Sequence, residues 1–357
     1  MLHTEIAIIG GGPAGMCAAI AAAGQGARVT LFDREKALGG QLVKQTHRFF
    51  GSEKEYAGTR GIDIAEILQD EIKKNKLIDV KTDTTVLGIY HDGIIAFEEG
   101  DVYNRLTSEK IIITTGAAEK MLPFPNNDLP GVYGAGAVQT LMNQYGIIPG
   151  NKVLMVGAGN IGLIVSYQLM QAGVKVEAII DAAPKVGGYL VHASKVRRLG
   201  VPILTSHTIT EATGEEFVTG AVICELDQNW QAIEGTEKKL DVDIICLAVG
   251  LSPLSELLRH TDCEMRYVPH LGGFVPIKDE NLQTRAEGVY VAGDASGVEE
   301  ASSAMIEGTI AGLSAAEALG YGTNIAALKE KYIIEIETLR SGTVGEKIRE
   351  GLKLLVC

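Results

Sequence analysis

Two glycine-rich segments carry residue types at a spacing suited to binding the pyrophosphate group of a dinucleotide. Glycine permits a tight strand-to-helix turn, lets the main chain approach the phosphates, and leaves the N–H donors of the helix available to them. Two such segments predict two bound nucleotides. The first comprises Gly10, Gly12, Pro13, Ala14 and Gly15, and the second comprises Gly157, Gly159, Asn160, Ile161 and Gly162.

The predicted elements around each segment support this interpretation. An apolar run, residues 6–9 in one case and 153–156 in the other, precedes the glycines and predicts a buried strand. A helical pattern rich in small and aliphatic residues follows, and it leads into a second strand. The alternative is that the glycines only close a strand–helix–strand unit and bind nothing.

A carboxylate ends the next predicted strand in each half of the chain. Asp33 stands where it would accept hydrogen bonds from both ribose hydroxyls of an adenosine, and Asp181 holds the same place in the second half. No arginine pair follows Asp181, which favours NAD over NADP, although Lys185 leaves NADP open. Asp181 could instead be a helix-capping or turn residue.

Three further segments, residues 114–117, 247–250 and 288–295, each place a glycine at the end of an apolar run. The order of all these motifs resembles the flavoprotein family with two dinucleotide-binding domains, which includes thioredoxin reductase and NADH-dependent flavin reductases. The resemblance covers nearly the whole chain. It implies FAD at the first glycine segment and NAD(P)H at the second.

The resemblance also implies a fold: α/β, with two Rossmann-like dinucleotide-binding domains of three-layer ββα architecture. The NAD domain is inserted in a discontinuous FAD domain, because the late Gly293-Asp294 pair is assigned to the first nucleotide. We expect an FAD-binding domain over 1–116 and 255–325, an NAD(P)-binding domain over 117–254, and a helical C-terminal tail over 326–357.

Carried over residue by residue, the resemblance names the cofactor-binding positions. Those that would line FAD are Gly10, Gly12, Gly15, Asp33, Gly40, Gln41, Gly293 and Asp294. Further cofactor-binding positions are Pro13, Ala14, Arg34, Thr115, Gly116, Gly250 and Ala301, besides the second glycine segment and Asp181. A helix beginning near Glu300 would direct the main-chain donors around Ala301 at the flavin pyrimidine carbonyl.

Polar residues of segment 39–51 are the candidates to reach the flavin ring. By resemblance to the thioredoxin reductase segment along the isoalloxazine, Gln41 and Thr46 are expected at the polar edge of the ring. His47 could exchange protons with reduced flavin or substrate at about neutral pH. It could equally be a surface histidine or one bonded to a main-chain carbonyl.

Cysteine spacing and composition exclude several other functions. The cysteines form neither C-x-x-C nor C-x4-C, so disulfide chemistry is not expected, and no metal-ligand spacing appears. With 46% hydrophobic and 22% charged residues and few cysteines, the chain is expected to be a cytoplasmic enzyme without a membrane span. A net charge of −13 argues against nucleic acid as a partner. The cysteines are Cys17, Cys224, Cys246, Cys263 and Cys357.

Segments 130–146 and 299–313 carry a closer resemblance, to the FAD/NAD subunits of heteromeric amine dehydrogenases. That group includes the alpha-type subunits of sarcosine oxidase, hydroxyproline or proline dehydrogenase and opine oxidase, and flavoproteins that accompany glycerol-3-phosphate dehydrogenase-like proteins. It implies hydride transfer between nicotinamide C4 and flavin N5. It also implies a hetero- or homo-oligomer, with the small-molecule substrate on a partner flavoprotein subunit.

Two other functions stay open at this point. A stand-alone NADH oxidase, quinone reductase or ferredoxin reductase would turn over rapidly with its acceptor and without a partner. A non-catalytic nucleotide-binding subunit would hold FAD that neither NADH nor NADPH reduces.

Overall fold

The computed structural model describes residues 2–50, 53–342 and 345–355. Cys357 and position 51 of the predicted flavin-ring segment therefore lie outside the described residues. The chain divides into a first unit, Met1–Ala118 with Leu251–Cys357, and a second unit, Glu119–Gly250. The second unit thus interrupts the first along the chain.

The strands are β1 (Leu2–Ile9), β2 (Val29–Phe32), β3 (Ile78–Lys81), β4 (Thr84–Ile89), β5 (Ile94–Glu99), β6 (Val102–Ile113), β7 (Ala117–Glu119), β8 (Val132–Gly134), β9 (Lys152–Val156), β10 (Lys175–Asp181), β11 (Ile203–Thr205), β12 (His207–Thr213), β13 (Gly220–Glu225), β14 (Lys238–Leu240), β15 (Ile244–Leu247), β16 (Leu251–Pro253), β17 (Met265–Val268), β18 (Gly273–Pro276) and β19 (Val289–Val291).

The α-helices are α1 (Pro13–Gly24), α2 (Gly61–Lys74), α3 (Ala135–Tyr145), α4 (Asn160–Gln171), α5 (Leu190–Arg198), α6 (Glu256–Arg259), α7 (Ala301–Ala318), α8 (Ile325–Leu339) and α9 (Glu346–Lys353). Short 3₁₀ helices cover Gly40–Lys44, Glu53–Glu55, Pro269–Leu271 and Gly293–Ser296.

The first unit is built on a sheet with strand order β3-β2-β1-β6-β5-β4, in which β19 also pairs with β6. Strands β3, β2, β1, β6 and β19 run parallel, whereas β4 and β5 are antiparallel. Pairing aligns the carboxyl ends of β1, β2, β6 and β19, because Ile9 pairs with Phe32 and Ile113, and Ile113 pairs with Val291. The predicted glycine and aspartate motifs after these strands therefore start from one edge.

Apolar layers cover both faces of this sheet, which explains why its central strands are continuous apolar runs. Helices α1, α2 and α7 pack on one face around Ile8, Leu31 and Ile112. The opposite face has its own apolar cluster, which includes Ile113 and Phe97. In the same unit, α8 packs on α7, and α9 packs against the 3₁₀ helix Pro269–Leu271.

The second unit repeats the plan on a smaller scale. Its parallel sheet has the order β11-β10-β9-β15-β8. Helices α3, α4 and α5 contribute to an apolar core on one face, and the antiparallel sheet β12-β13-β14 covers the other. Val156 pairs with both Ile180 and Leu247, so β9, β10 and β15 also end at a common edge.

Candidate functional site

The first glycine turn connects β1 to α1 and is held by β2. Gly10 N donates to Phe32 O at 2.9 Å, and Gly11 N donates to Asp33 Oδ2 at 2.6 Å. The second oxygen of Asp33 accepts the main-chain N–H of Glu35 at 2.7 Å. Burial raises the pKa of the Asp33 carboxyl. Asp33, which the sequence predicts as an acceptor for ribose hydroxyls, therefore also stabilises the turn.

Only glycine fits at the two ends of this turn. Gly10 has φ of 113°, and a Cβ there would lie 2.3 Å from Thr114 O. A Cβ on Gly15 would lie 1.8 Å from Gly10 O. The hydroxyl of Thr114 donates to Gly10 O at 2.8 Å, so the end of β6 also stabilises the turn.

The N-terminus of α1 is left open for a ligand. No side chain in the described residues caps the helix at Gly12, no acidic residue lies in its first turn, and Pro13 begins it. A Cβ on Gly12 would meet only the Cα of Gly40, at 3.9 Å. Unsatisfied N–H groups and the positive end of a helix dipole bind phosphate. The residues present therefore fit a dinucleotide pyrophosphate.

The second glycine turn, between β9 and α4, repeats this construction. Gly157 N donates to Ile180 O at 2.7 Å. Ala158 N donates to Asp181 Oδ2 at 2.7 Å, and Ala183 N donates to Asp181 Oδ1 at 2.9 Å. Each bond has its counterpart in the first turn.

Steric limits are repeated as well. A Cβ on Gly157 would lie 2.3 Å from Ala248 O, and one on Gly162 would lie 2.0 Å from Gly157 O. Gly159 precedes α4 without a side-chain cap in the described residues, and a Cβ on it would meet nothing within 4 Å. This turn also fits a pyrophosphate.

The remaining residues predicted for the second turn have different environments. Asn160 Oδ1 accepts the main-chain N–H of Tyr189 at 2.8 Å, which ties the turn to the start of α5. Ile161 is 40% exposed. Gly250, at φ of 111°, accepts the main-chain N–H of Lys120 through its carbonyl at 3.0 Å.

The late Gly293-Asp294 pair lies against the first turn. Gly293 has φ of 69°, and a Cβ on it would lie 2.9 Å from the Cβ of Ala14. Asp294 Oδ1 accepts the main-chain N–H of Glu299 at 3.2 Å. Burial raises the pKa of Asp294 to about 6, and the Glu307 and Glu299 carboxylates add to the rise. The buried carboxyl is therefore suited to a ligand hydroxyl donor.

Helix α7 is clamped against α1 by small residues. A Cβ on Gly308 would lie 2.0 Å from Ala14 O, and one on Gly312 would lie 2.3 Å from Ala18 O. No side-chain cap occupies the N-terminal end of α7 in the described residues, and Ala301 is its first residue. The structure thus brings Ala301, Gly293, Asp294 and the first turn into one unit.

A buried ion cluster, which the sequence analysis missed, lies beneath Gly293. Glu307 on α7 is 3% exposed. Its Oε1 atom accepts Lys278 Nζ at 3.1 Å and Arg340 Nη2 at 2.8 Å. Burial alone would raise the pKa of Glu307, but Lys278 and Arg340 outweigh burial and hold it at about 2. The available signal was the acidic Glu307 among the small and apolar residues of α7.

The predicted flavin-ring residues lie just after Gly39, which is hydrogen-bonded to the first turn. Gly39 N donates to Gly11 O at 2.8 Å, and the 3₁₀ helix Gly40–Lys44 begins there with Gln41 exposed. Thr46 and His47 are half-buried. The His47 ring stacks on Phe49, with centroids 5.9 Å apart.

Other predicted positions vary in exposure. Thr115 Oγ1 donates to Leu254 O at 2.7 Å. Gly116 has φ of 79°, and a Cβ on it would meet nothing within 4 Å. Arg34 pairs with Glu35 at 3.7 Å on the surface, where an ion pair contributes little to stability.

A cavity in the second unit was also missed by the sequence analysis. It has a volume of about 610 Å³ and begins at Ala182, directly after the carboxylate that ends β10. Trp230, which is 59% exposed, belongs to its lining. The other lining residues are Pro184, Ser206, Leu226, Asp227, Gln228 and Asn229.

Thiols and metal ligands do not form a redox or metal centre in the part of the chain that the structure describes. Cys17, Cys224, Cys246 and Cys263 are free cysteines, and burial raises the pKa of Cys17 to about 12. No group of three or more metal-ligating side chains occurs among the described residues. Nor is any helix within the described ranges long and apolar enough to cross a bilayer.

Curated proteins that resemble the chain include components of multi-subunit enzymes. An opine oxidase subunit of Agrobacterium tumefaciens (strain Ach5) is 26% identical over 87% of this chain and 65% of its own length. The HcnB subunit of hydrogen cyanide synthase from Pseudomonas protegens is 26% identical over 91% and 72%. The alpha subunit of sarcosine oxidase from Corynebacterium sp. (strain P-1) is 26% identical over 90% of this chain and 33% of its own length. The chain thus spans less than two thirds of the opine oxidase subunit.

Solved structures with the same fold include two named reductases or dehydrogenases. Thioredoxin reductase of T. acidophilum superimposes with a TM-score of 0.74 at 22% identity, over 89% of this chain and 99% of that one. L-proline dehydrogenase of P. horikoshii superimposes with a TM-score of 0.70 at 22% identity, over 94% of this chain and 59% of that one. They confirm the predicted α/β fold with Rossmann-like sheets.

The family model for pyridine nucleotide-disulphide oxidoreductases matches residues 4–308, which include both glycine turns and the Gly293-Asp294 pair. This confirms the resemblance on which the sequence analysis relied. Membership implies binding of FAD and of a pyridine nucleotide. The chain belongs to the pyridine nucleotide-disulphide oxidoreductase family.

Proposed function

We propose that the chain is an FAD-dependent NAD(P)H oxidoreductase that works as the electron-transfer subunit of a heteromeric dehydrogenase. The observation that carries the proposal is the repeated turn. Each unit presents an open helix N-terminus beside a carboxylate that ends the neighbouring strand, at Asp33 in the first unit and Asp181 in the second. Two dinucleotides have two matching places.

FAD is assigned to the first turn and the nicotinamide nucleotide to the second. When bound, FAD would supply the hydride acceptor at N5 and the nicotinamide would supply the donor at C4. Support for the first assignment is the contact between Gly293 and Ala14, which adds the buried Asp294 carboxyl to that turn. Ionised Asp294 would accept a hydroxyl of the flavin side chain.

Residues of the chain mainly bind and orient the cofactors. The carboxylates of Asp33 and Asp181 would each accept ribose hydroxyls, since a carboxylate has lone pairs beyond those used by the main chain. Main-chain donors at Ala301 would face the flavin pyrimidine carbonyl. Positioning of this kind can supply much of the rate without an indispensable acid or base.

Gln41, Thr46 and His47 are proposed at the polar edge of the flavin ring. They follow Gly39 within eight residues, and Gly39 N donates to Gly11 O of the first turn. His47 is half-buried and is the candidate among them for proton exchange. Arg34, Thr115 and Gly116 complete the proposed flavin surroundings.

NAD is the proposed nucleotide at the second turn, in preference to NADP. The strand that would carry its ribose acceptor ends in Asp181, and the residues that follow are Ala182, Ala183 and Pro184. A carboxylate accepts the two hydroxyls of an NAD ribose and repels the 2′-phosphate of NADP. Lys185 is the nearest cation in the sequence that would favour NADP.

The proposed partner is a second flavoprotein that oxidises an amine, amino acid or glycerol-3-phosphate-type substrate. Support comes from the relatives, which are named as subunits of opine oxidase, sarcosine oxidase and hydrogen cyanide synthase. We also propose a cytoplasmic location and a hetero- or homo-oligomeric state. Composition with few cysteines supports the location.

Anaerobic titration of the purified protein tests the proposal. The cofactor is first released and identified by chromatography, and the protein is then titrated with NADH and NADPH at about 450 nm, where oxidised flavin absorbs. The proposal predicts bound FAD that NADH bleaches more readily than NADPH. Bound FAD that neither nucleotide bleaches would contradict it. Rapid turnover with oxygen, quinone or ferredoxin alone would contradict the subunit role.

A further inference from the structure

The ion cluster around Glu307 connects the C-terminal tail to the proposed flavin site. We propose that Arg340, at the end of α8, is a positioning residue that holds the Gly293-Asp294 turn and the start of α7. Through them it sets the affinity and the reduction potential of the bound flavin. The inference rests on the proposed function, because it requires FAD at the first turn.

One side of the cluster holds the turn through Glu307. Its Oε2 atom accepts the main-chain N–H of Gly293 at 2.9 Å and the hydroxyl of Ser296 at 2.7 Å. Lys278 Nζ donates to the same hydroxyl at 2.7 Å. Both ends of the 3₁₀ helix Gly293–Ser296 are therefore fixed by one buried carboxylate.

The other side of the cluster holds the start of α7 through Glu299. Arg340 Nε donates to Glu299 Oε2 at 3.1 Å, and Arg340 Nη2 donates to Oε1 at 2.5 Å. This two-pronged geometry is among the stronger protein ion pairs. Glu299 N donates in turn to Asp294 Oδ1, and α7 begins at Ala301. Arg340 thus contacts both Glu307, which holds the Gly293-Asp294 turn, and Glu299, just before the start of α7.

Charge balance in the cluster depends on the two cations. Lys278 and Arg340 face Glu307 and Glu299, and their side chains are 7% and 14% exposed. Removal of Arg340 would leave uncompensated negative charge beside the buried Asp294 carboxyl. Added negative charge disfavours electron uptake by a neighbouring group. The flavin should therefore become harder to reduce.

Lys329 supplies a matched control on the same helix. It pairs with Glu317, and its Nζ donates to Asn281 Oδ1 at 2.7 Å. Its side chain is 12% exposed, which is close to the value for Arg340. Neither of these two partners belongs to the turn or to the start of α7. Removal of the Lys329 side chain should weaken the packing of α8 without changing the Gly293-Asp294 turn or the start of α7.

The experiment compares Arg340→Met, Arg340→Lys and Lys329→Met in the full chain. FAD affinity is measured by titration of the apoprotein, and the midpoint potential by equilibration with a redox dye. We expect Arg340→Met to bind FAD at least tenfold more weakly and to have a more negative potential. A tenfold change in the oxidised-to-reduced equilibrium is about 30 mV for a two-electron couple.

Arg340→Lys keeps the charge and should recover part of both values, and it serves if Arg340→Met does not fold. Lys329→Met should match the wild type in affinity and potential. Equal effects of Arg340→Met and Lys329→Met, or no effect of Arg340→Met on a wild type that binds FAD, would overturn the inference alone. A wild type that takes up no FAD would overturn the proposed function as well.

Amide exchange in the apoprotein gives a readout without flavin. The N–H of Gly293 is bonded to Glu307, so its exchange should accelerate in Arg340→Met and stay unchanged in Lys329→Met. Equal exchange in the two variants would show that Arg340 does not position the turn.

Discussion

The two glycine turns have nearly the same main-chain geometry. Gly10 and Gly157 have φ of 113° and 112°. The N–H that follows each glycine donates to a strand-ending carboxylate, at 2.6 Å to Asp33 and at 2.7 Å to Asp181. This geometry follows from the shared need for a helix N-terminus at the edge of a parallel sheet.

Their surroundings differ within their own units. The first turn is packed against Gly293 and α7, and the Glu307 cluster lies beneath that contact. In the second, a Cβ on Gly159 would meet nothing within 4 Å, and Ile161 is 40% exposed. Under the proposed function, each turn would bind a dinucleotide, and the surroundings would set how firmly that dinucleotide is held. We expect a resident FAD and an exchangeable NADH.

The largest expected effect comes from filling the end of each turn. Gly15→Val and Gly162→Val both bring a Cβ into collision with a main-chain oxygen, at 1.8 Å and 2.0 Å. Gly15→Val should lose FAD, whereas Gly162→Val should keep FAD and lose reduction by NADH. The flavin-to-protein ratio and anaerobic bleaching measure the two outcomes.

Gly24→Ala is the control. Gly24 lies on the same helix as Gly15, and a Cβ on Gly24 would meet nothing within 4 Å. It should match the wild type in flavin content. If Gly162→Val lost FAD or Gly15→Val retained it fully, the two turns would not serve separate nucleotides.

A smaller effect is expected from the carboxylate of the second turn. Asp181→Asn keeps the shape of the side chain but loses its charge, and hydrogen bonds to charged groups contribute about 1.5–3 kcal/mol. NADH should bind about tenfold or more weakly, with FAD content unchanged. Binding of NADPH should change less. Equal losses for both nucleotides would contradict the proposed preference for NAD.

The buried carboxyl of the first site predicts a pH dependence. A flavin hydroxyl that donates a hydrogen bond to Asp294 favours the ionised form of this carboxyl. Without ligand, the pKa of Asp294 is about 6. FAD affinity should therefore fall as the pH decreases below about 6, by up to about tenfold per pH unit. Titrations of the apoprotein at several pH values measure it. Asp294→Asn should flatten the profile, and an affinity that rises at low pH would contradict this role.

The same group affects the stability of the apoprotein with the opposite sign. Burial raises the pKa of Asp294 from 3.8 to about 6. The contribution of this carboxyl to the stability of the apoprotein is therefore present at low pH and lost as the pH rises through about 6. Asp294→Asn apoprotein should then be more stable than the wild type above that pH.

The smallest effect is expected at the cavity beside Asp181. Trp230→Ala should weaken NADH binding about threefold to tenfold if the indole stacks on the adenine, since aromatic contacts contribute about 1 kcal/mol. Phe217→Ala is the control, because Phe217 is also 59% exposed, as is Trp230, but does not line the cavity. Nucleotide titration of both variants measures the difference. Equal affinities would exclude this contact.

Sequence could predict the turns because their requirements are local. Glycine at positions 10 and 157 is demanded by φ and by a nearby carbonyl, and the apolar strands precede them directly. Asp33 and Asp181 were expected as ribose acceptors. Their bonds to the main chain of the turns were not expected, since a side chain's partners depend on how two strands pair.

Sequence could not predict contacts between distant positions. Glu307 on α7 and Arg340 at the end of α8 meet because those helices pack together, and Lys278 reaches them from the segment after β18. Trp230 lines its cavity because of a turn within the β13–β14 connection rather than any motif. Glu119 likewise caps α3 by accepting the N–H of Gly136 at 2.6 Å, and nothing in the spacing indicated it.

The most direct test of the central claim is the rate at which NADH bleaches the flavin in wild type and in Gly159→Val. The substitution has room in the fold, since a Cβ there has nothing within 4 Å, but it would obstruct the proposed pyrophosphate path. Both proteins should purify with FAD. We predict rapid anaerobic bleaching of the wild type and persistent colour in Gly159→Val. Equal bleaching of the two proteins would contradict a nicotinamide site at the second turn.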